Sequence, residues 1–424
     1  MCSSFLLAVR SFDAVVPGSR VSRVKALLLK QPRCVVDDRP KPRLACLVPM
    51  KERKKADAPR SPAVSLDGAV SEPLPKASDP EEAFRALLAD VRRDVDARLA
   101  GYLDARVAET ARHGADVEAM TRAVRDLTLR GGKRLRAALV LLGYLATDER
   151  GPTGPALDAG VAFELLQTYL IVHDDWMDGD ERRRGGPSVP AMLRAHHGSA
   201  RLGDAAAVLA GDFAAALSLD VLSRLDSPPD RLVRALGLFA EIQQDVICGQ
   251  QLDIAGKELD VEVYYPLKTG SYTVRGPLLL GAILAGAPPE VMHALDQYAR
   301  PLGVAFQMQD DLLGVFGDAT RTGKPVGDDL RRGSKTAIAQ HAFRMLDPTH
   351  RAAFDAVFGN PEATDEQIVA VTDMLTETGV RGAVVERIHD LIHAAISALV
   401  DAPIDPAPRT MLLGFCSILA SRID

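Results

Sequence analysis

The sequence predicts an all-α protein, a single large helical bundle around a central apolar cavity. Hydrophobic residues make up 47% of the 424-residue chain and aromatic residues only 5%, and this Ala- and Leu-rich composition favours helices over sheets. From Asp79 onward, apolar residues recur at helical spacing, and the sequence has no alternating strand pattern of useful length. Several segments, notably residues 158–173, are apolar almost all round, which is typical of helices inside a large bundle.

The individual helices follow from this spacing and from the breakers between them. The first begins at Asp79 and Pro80, which form an N-cap and a first-turn proline. Further helices are predicted at residues 133–146, 158–178, 204–224, 231–254, 273–286, 290–316, 335–346 and 381–400. Glycine or proline interrupts the pattern at Gly151-Pro152, Gly185-Gly186-Pro187, Ser227-Pro228-Pro229, Pro288-Pro289 and Gly323-Lys324-Pro325.

Residues 1–78 are predicted to be a disordered, basic N-terminal extension to a domain that spans residues 79–424. They mix Pro, Ser, Arg and Lys without helical periodicity, as in the run Lys51-Glu52-Arg53-Lys54-Lys55. Three interpretations stay open for this extension: an organelle-targeting peptide, a regulatory or docking arm, or a leader without function. We favour the last, in which Met50 is the true start.

Charge and cysteine content exclude several classes of protein. Residues 1–60 carry a net charge of +9, from 14 Lys and Arg against 5 Asp and Glu, so the rest of the −6 chain carries −15. This acidic body argues against general nucleic-acid binding. The five cysteines lack metal-ligand spacing and indicate no disulfide framework, which favours a reducing, cytoplasmic location. No uncharged apolar run reaches the roughly 18–20 residues of a membrane span, so we expect no stable membrane insertion.

An aspartate cluster inside an apolar run is the first group with clear chemical meaning. On a helix, Asp174, Asp175 and Asp178 converge within one turn, where their charges repel each other unless a cation compensates them. A magnesium site for a diphosphate is the leading interpretation, because Mg²⁺ combines carboxylates with substrate phosphates. Two alternatives stay open: a solvated acidic helix end, or a phosphohydrolase metal site around His173, for which the nine histidines show no supporting cluster.

A second acidic pair, Asp310 and Asp311, follows Gln307 on a later predicted helix. Alone, such a pair is a common feature of helix ends. It gains significance from the first cluster, because two acidic patches that face each other across a cavity can hold a diphosphate through bridging metals.

Basic residues beside glycines supply the positive charge that a diphosphate also needs. A Gly-Gly-Pro turn after Arg183 and Arg184 would fold their guanidinium groups back over the first cluster, although such a run is usually a surface salt-bridge network. Two glycines and a helix N-terminus accompany Lys133 and Arg136, a combination that can bind anions. Two later segments each contribute one lysine, Lys268 and Lys324.

In this order, the motifs resemble the all-trans isoprenyl diphosphate synthase (polyprenyl synthetase) family. The resemblance runs from about Arg130 to Thr336 and rests on Gly-Gly-Lys-Arg-Leu-Arg (131–136), His-Asp-Asp-Trp-Met-Asp (173–178), Arg-Arg-Gly (183–185), Lys-Thr-Gly-Ser-Tyr (268–272), Phe-Gln-Met-Gln-Asp-Asp (306–311) and Gly-Lys-Pro-Val-Gly-Asp-Asp (323–329). Within the family, the sequences of these motifs are most similar to those of the short-chain bacterial farnesyl and geranylgeranyl diphosphate synthases. The resemblance implies the isoprenoid synthase fold, a homodimer, and head-to-tail 1′-4 condensation of isopentenyl diphosphate with an allylic diphosphate.

The resemblance also assigns a role to each matching residue. Asp174, Asp175 and Asp178 would hold two Mg²⁺ ions, and Asp310, with Asp311 beside it, would hold a third. The allylic diphosphate would be neutralised by Arg183, Lys268 and Lys324. Isopentenyl diphosphate would be bound by Lys133, Arg136, Gln167 and Arg184. The developing carbocation would face Thr269, Gln307 and the Lys268 carbonyl.

The sequence departs from the family pattern at two positions. The family's second cluster usually ends in a third aspartate, where this chain has Gly314, and Pro190 replaces a usual histidine. Metal binding on that side would then rest on Asp310 with water or Asp311.

Tyr169 lies five residues before Asp174, about 7.5 Å along the helix axis. In the family an aromatic residue there accompanies short products, so we expect a C15 or C20 product, with a slight preference for C15; alternatively, Tyr169 only packs in the core.

Two other classes of function stay open. A class I terpene cyclase shares the helical architecture and the first aspartate cluster, but it needs no pocket for a second diphosphate, so Lys133 and Arg184 count against it. A catalytically silent subunit of a heteromeric synthase would tolerate Gly314, whereas the complete first cluster argues against that interpretation.

Overall fold

The computed structural model describes residues 79–147, 152–255, 260–317 and 327–421. The predicted extension, residues 1–78, and the predicted diphosphate ligand Lys324 lie outside these residues, so both stay predictions. The described residues are helical apart from one short hairpin and the connecting turns, which confirms the predicted all-α class.

Sixteen α-helices follow one another along the described part of the chain. They are α1 (Pro80–Thr110), α2 (Ala115–Leu129), α3 (Leu135–Leu145), α4 (Gly154–Asp178), α5 (Val189–His197), α6 (Ala200–Ser223), α7 (Pro229–Ala255), α8 (Val261–Tyr265), α9 (Gly276–Ala285), α10 (Pro289–Phe316), α11 (Asp328–Arg332), α12 (Ala337–Met345), α13 (Pro348–Val357), α14 (Asp365–Glu377), α15 (Val380–Leu399) and α16 (Pro406–Ala420). A 3₁₀ turn (Ala111–His113) follows α1, and a π-helix (Pro266–Arg275) joins α8 to α9.

Local signals account for several of the helix ends. The Asp79 carboxylate accepts a hydrogen bond from the Glu81 amide at 2.9 Å, which confirms the predicted N-cap of α1. Gly179, with a φ of 69°, ends α4 directly after Asp178 in the left-handed conformation that glycine tolerates. One prediction needs correction: residues 273–275 of the predicted helix 273–286 belong to the π-helix, and the α-helix begins at Gly276. Apolar spacing cannot distinguish the two helix types, because a π turn changes the period only locally.

The core is built around α4, whose residues from Ala156 to Leu166 are almost all buried. This helix packs against α6 on one side and α3 on another. α3 in turn meets α9 at two glycines, since a Cβ on Gly143 or on Gly281 would overlap backbone atoms of the facing helix. The core therefore fixes the C-terminal end of α4, which carries the first aspartate cluster.

The Arg-Arg-Gly-Gly-Pro segment forms the hairpin that its turn residues indicate. Strands β1 (Arg182–Arg183) and β2 (Gly186–Pro187) pair antiparallel, with Arg183 opposite Gly186. The two loop residues, Arg184 and Gly185, have φ values of 52° and 75°, as a tight type I′ turn requires. Arg184 thus adopts a backbone conformation that is rare for a residue with a side chain, a form of strain that clusters at functional sites.

Among the described residues, two helices are long and apolar enough to cross a membrane by length and composition, α4 and α6. The apolar window of α4 is 72% buried within the protein, so its composition is explained by the core. The corresponding window of α6 is only 39% buried. Its exposed apolar side chains include Leu202, Leu209 and Leu219.

Candidate active site

The first cavity, here called the acidic cavity, lies where α4, α7, the π-helix, α10 and α11 meet. Its volume is about 550 Å³, and six carboxylate side chains line it: Asp174, Asp178, Asp180, Asp253, Asp311 and Asp329. The fold therefore brings Asp174 and Asp178 of the first cluster together with Asp311 of the second. The cations that line the same cavity are Lys268, Arg332 and Lys335.

Burial and mutual repulsion perturb the first cluster. Asp174 is half-buried and accepts a hydrogen bond from Gln250 at 3.3 Å. Burial, and then the charge of Asp174, raise the pKa of Asp178 above its usual range. Asp175 is fully buried, and burial raises its pKa to about 6 despite the neighbouring Arg183. These carboxylates are thus held in an environment that favours a compensating cation.

Arg183 of the hairpin supplies part of that compensation. Its Nε donates to Asp175 Oδ1 at 2.6 Å, and its Nη2 lies 3.2 Å from Asp180 and 3.6 Å from Asp174. Arg183 does not line the acidic cavity, because its guanidinium is turned toward these carboxylates. The structure consequently places Asp175 and Arg183 behind the cavity wall, beside the residues that line it.

The two aspartates of the second cluster point into different cavities. Asp311 is buried and lines the acidic cavity, where it accepts hydrogen bonds from Tyr265, from Gln307 at 3.0 Å and from the Ala337 amide at 3.1 Å. Burial raises the pKa of Asp311 to about 7 in spite of these donors. Asp310 instead lines a separate cavity beside Lys133 and Arg136. The predicted pairing of Asp310 with the first cluster therefore falls to Asp311 in this structure.

Gly314, the departure from the family pattern, makes room for another carboxylate. A Cβ at this position would overlap the side chain of Asp329, which reaches it from α11. Asp329 lines the acidic cavity together with Asp311. Asp329 thus occupies space where a side chain at position 314 would lie, and the second acidic side of the cavity still contains two carboxylates.

The second cavity, here called the cationic cavity, brings together four predicted ligands from three separate segments. Its volume is about 230 Å³, and its polar wall includes Lys133, Arg136, Gln167 and Arg184. Arg136 donates to Thr273 at 2.7 Å and stacks 4.4 Å above the ring centre of Tyr272. The Arg184 guanidinium donates to the Gly131 carbonyl at 2.8 Å, and this bond joins the hairpin to the loop before α3. Such fixed guanidinium groups suit phosphate oxygens.

The π-helix presents Lys268 to the acidic cavity and places Thr269 behind it, against Gln307, which also lines the cavity. Close packing holds the π-helix in place, because a Cβ on Gly303 of α10 would lie 2.7 Å from Gly270 Cα, and one on Gly249 of α7 would lie 2.5 Å from the Lys268 amide. The Thr269 hydroxyl donates to Gln307, whose amide in turn donates to Asp311. Wide π turns of this kind are frequent at functional sites.

A third, apolar cavity of about 270 Å³ lies beside Asp174, between α4, α7 and the π-helix. Tyr169 lines it, as do Asp174 and Lys268, which also line the acidic cavity. The Tyr169 ring stands edge-on to His173, with ring centres 4.9 Å apart. An apolar chain whose polar end binds in the acidic cavity would therefore extend toward Tyr169.

The donor atoms of the acidic cavity fit magnesium. Mg²⁺ prefers oxygen ligands and usually combines one or two carboxylates with water and phosphate, and the lining of this cavity is rich in carboxylate oxygens. Behind the wall, the buried Oδ2 of Asp175 has no hydrogen-bond partner among the described residues, an arrangement that an approaching cation would stabilise. Asp174, Asp178, Asp311 and Asp329 are the residues that would hold such ions.

One further group of possible metal ligands lies apart from these cavities. Asp116, His196 and His197 have ligand atoms within 4.8 Å of one another, and His196 lies 2.9 Å from Asp116. Sequence spacing does not reveal this group, because Asp116 and the two histidines are about 80 residues apart. The group does not contain His173, and imidazole nitrogens suit other metals than magnesium.

Several residues that form the acidic cavity were not predicted as site residues from the sequence, chiefly Asp180, Asp329, Arg332 and Tyr265. Asp329 was part of a recognised motif, but the motif alone does not show where the side chain points. Asp180 and Arg332 carry no motif signal, and the fold brings them together in an ion pair across 152 positions.

A helical bundle in which an acidic and a cationic cavity share one helix wall defines a protein class, the all-α isoprenoid synthases. The chain belongs to the polyprenyl synthetase family, whose sequence model matches residues 117–375. Its curated relatives support the short-chain trans-prenyltransferase activity expected from the motifs.

Curated relatives are about one-third identical to this chain over the aligned residues. It is 32% identical to the geranylgeranyl diphosphate synthase of Methanosarcina mazei over 72% of this chain and 90% of that protein. It is 35% identical to the (2E,6E)-farnesyl diphosphate synthase of Mycobacterium tuberculosis over 58% and 67%. The crystal structure of geranylgeranyl pyrophosphate synthase from Corynebacterium glutamicum, complexed with isoprenyl diphosphate and magnesium, aligns with a TM-score of 0.72 and 32% identity, over 81% of this chain and 99% of that one. The chain is a prenyltransferase of the short-chain trans type.

Proposed function

We propose that the chain joins isopentenyl diphosphate to an allylic diphosphate head to tail, with the allylic diphosphate in the acidic cavity and isopentenyl diphosphate in the cationic cavity. The observation that carries this assignment is the shared wall formed by α10. Consecutive residues Asp310 and Asp311 line the cationic and the acidic cavity, respectively. Two diphosphates bound in these cavities would therefore place their hydrocarbon ends close together.

Magnesium, with three ions expected, would neutralise charge on the leaving diphosphate when it is bound. Lys268 adds a fixed positive charge: burial works to lower its pKa, but Asp253 and Asp174 outweigh burial and raise it, so the ammonium stays protonated. Thr269, Gln307 and the Lys268 carbonyl would stabilise the allylic cation as the C–O bond breaks; the Thr269 hydroxyl donates to the Gln307 side-chain oxygen. The double bond of isopentenyl diphosphate then attacks, and the departing diphosphate accepts the proton that the product loses.

The apolar cavity would hold the growing chain and set its length. Tyr169 lies in its wall about one and a half helical turns before Asp174, and its ring limits the depth available. We propose a C15 or C20 product; the relatives include enzymes named for each. Tyr169→Ala should give a longer product by chromatography of the dephosphorylated prenols. An unchanged product distribution would exclude Tyr169 as the limit.

We propose a cytoplasmic homodimer as the working form of the domain at residues 79–424, with residues 1–78 as an appendage. The exposed apolar side chains of α6, Leu202, Leu209 and Leu219, support the dimer, because an apolar face of this kind is stabilised when a second copy covers it. Light scattering of the wild type and of Leu209→Asp would test the assembly.

One assay tests the proposed function against its rivals. The purified protein is incubated with Mg²⁺, isopentenyl diphosphate and an allylic primer of five, ten or fifteen carbons, and released diphosphate is measured. Release that requires both substrates supports the proposal. Release from the allylic substrate alone indicates a terpene cyclase, which the cationic cavity disfavours. Absence of turnover with every primer indicates a silent subunit.

A further inference from the structure

A buried carboxylate, Asp180, lies between two arginines that come from different parts of the chain. It follows Gly179 at the end of α4 and is only 8% exposed. Its Oδ2 lies 3.2 Å from Arg183 Nη2 on the hairpin, and its Oδ1 lies 2.5 Å from Arg332 Nη2 on α11. The two guanidinium groups thus approach the same carboxylate from opposite sides.

Arg332 reaches further into the acidic cavity than Arg183 does. It lines that cavity, and its Nη1 lies 3.7 Å from Asp178 while its Nε lies 3.2 Å from Asp328. Arg332 is exposed, with 36% of its side chain accessible to solvent, so it can change partners without disturbing a well-packed interior. A planar guanidinium with five donors is suited to two oxygens of one phosphate.

The preceding residue, Arg331, shows that this placement is specific. Arg331 lies on the same short helix but points the other way, where it donates to the Ala363 carbonyl at 3.1 Å and to Asp365. It does not line the acidic cavity. Neighbouring arginines therefore have separate roles: one attaches α11 to the start of α14, and the other faces the carboxylates of the cavity.

A cation that contacts Asp178 competes with any metal ion that binds the same carboxylate. A Mg²⁺ ion held by Asp178 would repel the Arg332 guanidinium from that carboxylate, and a diphosphate in the same cavity would offer it another anion to bind. Asp180 remains as the anchor that keeps the guanidinium at the cavity rim. The same side chain can thus balance the carboxylates before binding and contact the diphosphate afterwards.

We propose that Arg332 is a binding residue for the diphosphate in the acidic cavity, and that it moves from Asp178 to the diphosphate when magnesium binds. This proposal rests on the proposed function in one respect only: it takes the diphosphate in the acidic cavity to be that of the allylic substrate. Binding of magnesium and of inorganic diphosphate tests the move itself.

The test uses the single tryptophan of the chain, Trp176, which lies between Asp175 and Asp178 and is 40% exposed. Its fluorescence is titrated with Mg²⁺ alone, and then with inorganic diphosphate at saturating Mg²⁺. In Arg332→Gln, the Mg²⁺ midpoint should fall about three-fold because a competing cation is gone. The dissociation constant for diphosphate should rise about ten-fold, the size of one charge-assisted hydrogen bond. These opposite shifts would not arise from a general loss of structure.

Two further variants control the experiment. Arg332→Lys keeps the charge near Asp180 but loses the planar fork, so its Mg²⁺ midpoint should stay near the wild-type value while diphosphate binding weakens about three-fold. Arg331→Gln should leave both titrations unchanged. In turnover assays, Arg332→Gln should raise the KM for geranyl diphosphate and not the KM for isopentenyl diphosphate.

The proposal is overturned if Arg332→Gln binds diphosphate as the wild type does, or if its Mg²⁺ midpoint stays constant or rises. It is equally overturned if Arg331→Gln reproduces both shifts. These titrations need no turnover, so they give an answer even if the wild type does not condense its two substrates. Conversely, a wild type that condenses both substrates while Arg332→Gln shows no shift would retain the proposed function and reject this role for Arg332.

Discussion

The acidic and the cationic cavity are both suited to a diphosphate, but they would bind it by different means. The acidic cavity is lined by carboxylates, among them Asp174 and Asp311, and requires added cations before it can accept an anion. The cationic cavity already contains Lys133, Arg136 and Arg184 and can bind an anion directly. This difference supports the proposal that the diphosphate in the acidic cavity is the one that leaves, because metal ions that neutralise a diphosphate make it a better leaving group.

The largest effect on turnover is expected for a substitution in the acidic cavity, whose carboxylates would hold the metal ions. In Asp174→Ala, the turnover number should fall roughly a thousand-fold, because stabilising the charge on the leaving group contributes more to such catalysis than any other effect. Binding of isopentenyl diphosphate, measured by calorimetry, should change little. Asp158→Ala, about four turns earlier on the same helix, is the matched control and should retain activity. Equal damage to the binding of both substrates would contradict the separation of the two cavities.

The cationic side should respond in its affinity for one substrate. Arg184→Gln removes a guanidinium from the cavity wall, and the KM for isopentenyl diphosphate should rise about thirty-fold, as expected for lost charge-assisted bonds. The dependence on Mg²⁺ should not change. The control is Arg182→Gln on the same hairpin, whose side chain is exposed and donates to the Gly185 carbonyl within the turn. A shifted Mg²⁺ requirement in Arg184→Gln would show that the two cavities are not separate.

A smaller effect is expected at Gly314. In Gly314→Ala the new methyl group would overlap the Asp329 carboxylate and displace it from the acidic cavity, so the Mg²⁺ midpoint should rise about five-fold, the order expected when one ligand is misplaced. Gly101→Ala is the control, since a Cβ there meets nothing within 4 Å. If the midpoint of Gly314→Ala equals that of the wild type, Asp329 does not contribute to metal binding.

The last effect concerns stability rather than activity, and its dependence on pH in the absence of metal. Burial raises the pKa of Asp311 to about 7, whereas an unfolded aspartate has a pKa of about 3.9. Between these values Asp311 binds more protons in the folded protein than in the unfolded chain, so its contribution to stability falls as the pH rises from about 4 to about 7. In EDTA the melting temperature of the wild type should therefore fall relative to that of Asp311→Asn as the pH rises through this window. If the melting temperature varies with pH identically in both proteins, the raised pKa of Asp311 is wrong.

The sequence predicts the fold and the first cluster well because both depend on local spacing. Helical periodicity and breakers locate most of the long helices, and the placement of Asp174 and Asp178 one turn apart already defines their common face. The grouping of Lys133, Gln167 and Arg184 required the family resemblance, since they come from three separate segments.

Other features depend on tertiary structure and leave no local signal. Asp310 and Asp311 are neighbours in sequence, yet one step along a helix turns a side chain by about 100°, and this turn places them in different cavities. The contact of Asp329 with Gly314 depends on how α11 packs against α10. The π-helix around Lys268 likewise arises from close glycine contacts with α7 and α10 rather than from apolar spacing.

The most direct test is a crystal structure of the protein with Mg²⁺, isopentenyl diphosphate and a thio analogue of geranyl diphosphate that does not ionise. We predict that Mg²⁺ ions bind the analogue's diphosphate against Asp174 and Asp178, with Asp311 or Asp329 on the opposite side. Isopentenyl diphosphate should contact Lys133, Arg136 and Arg184 without a metal. Magnesium bound to isopentenyl diphosphate in the cationic cavity, or an acidic cavity that holds no diphosphate, would contradict the account.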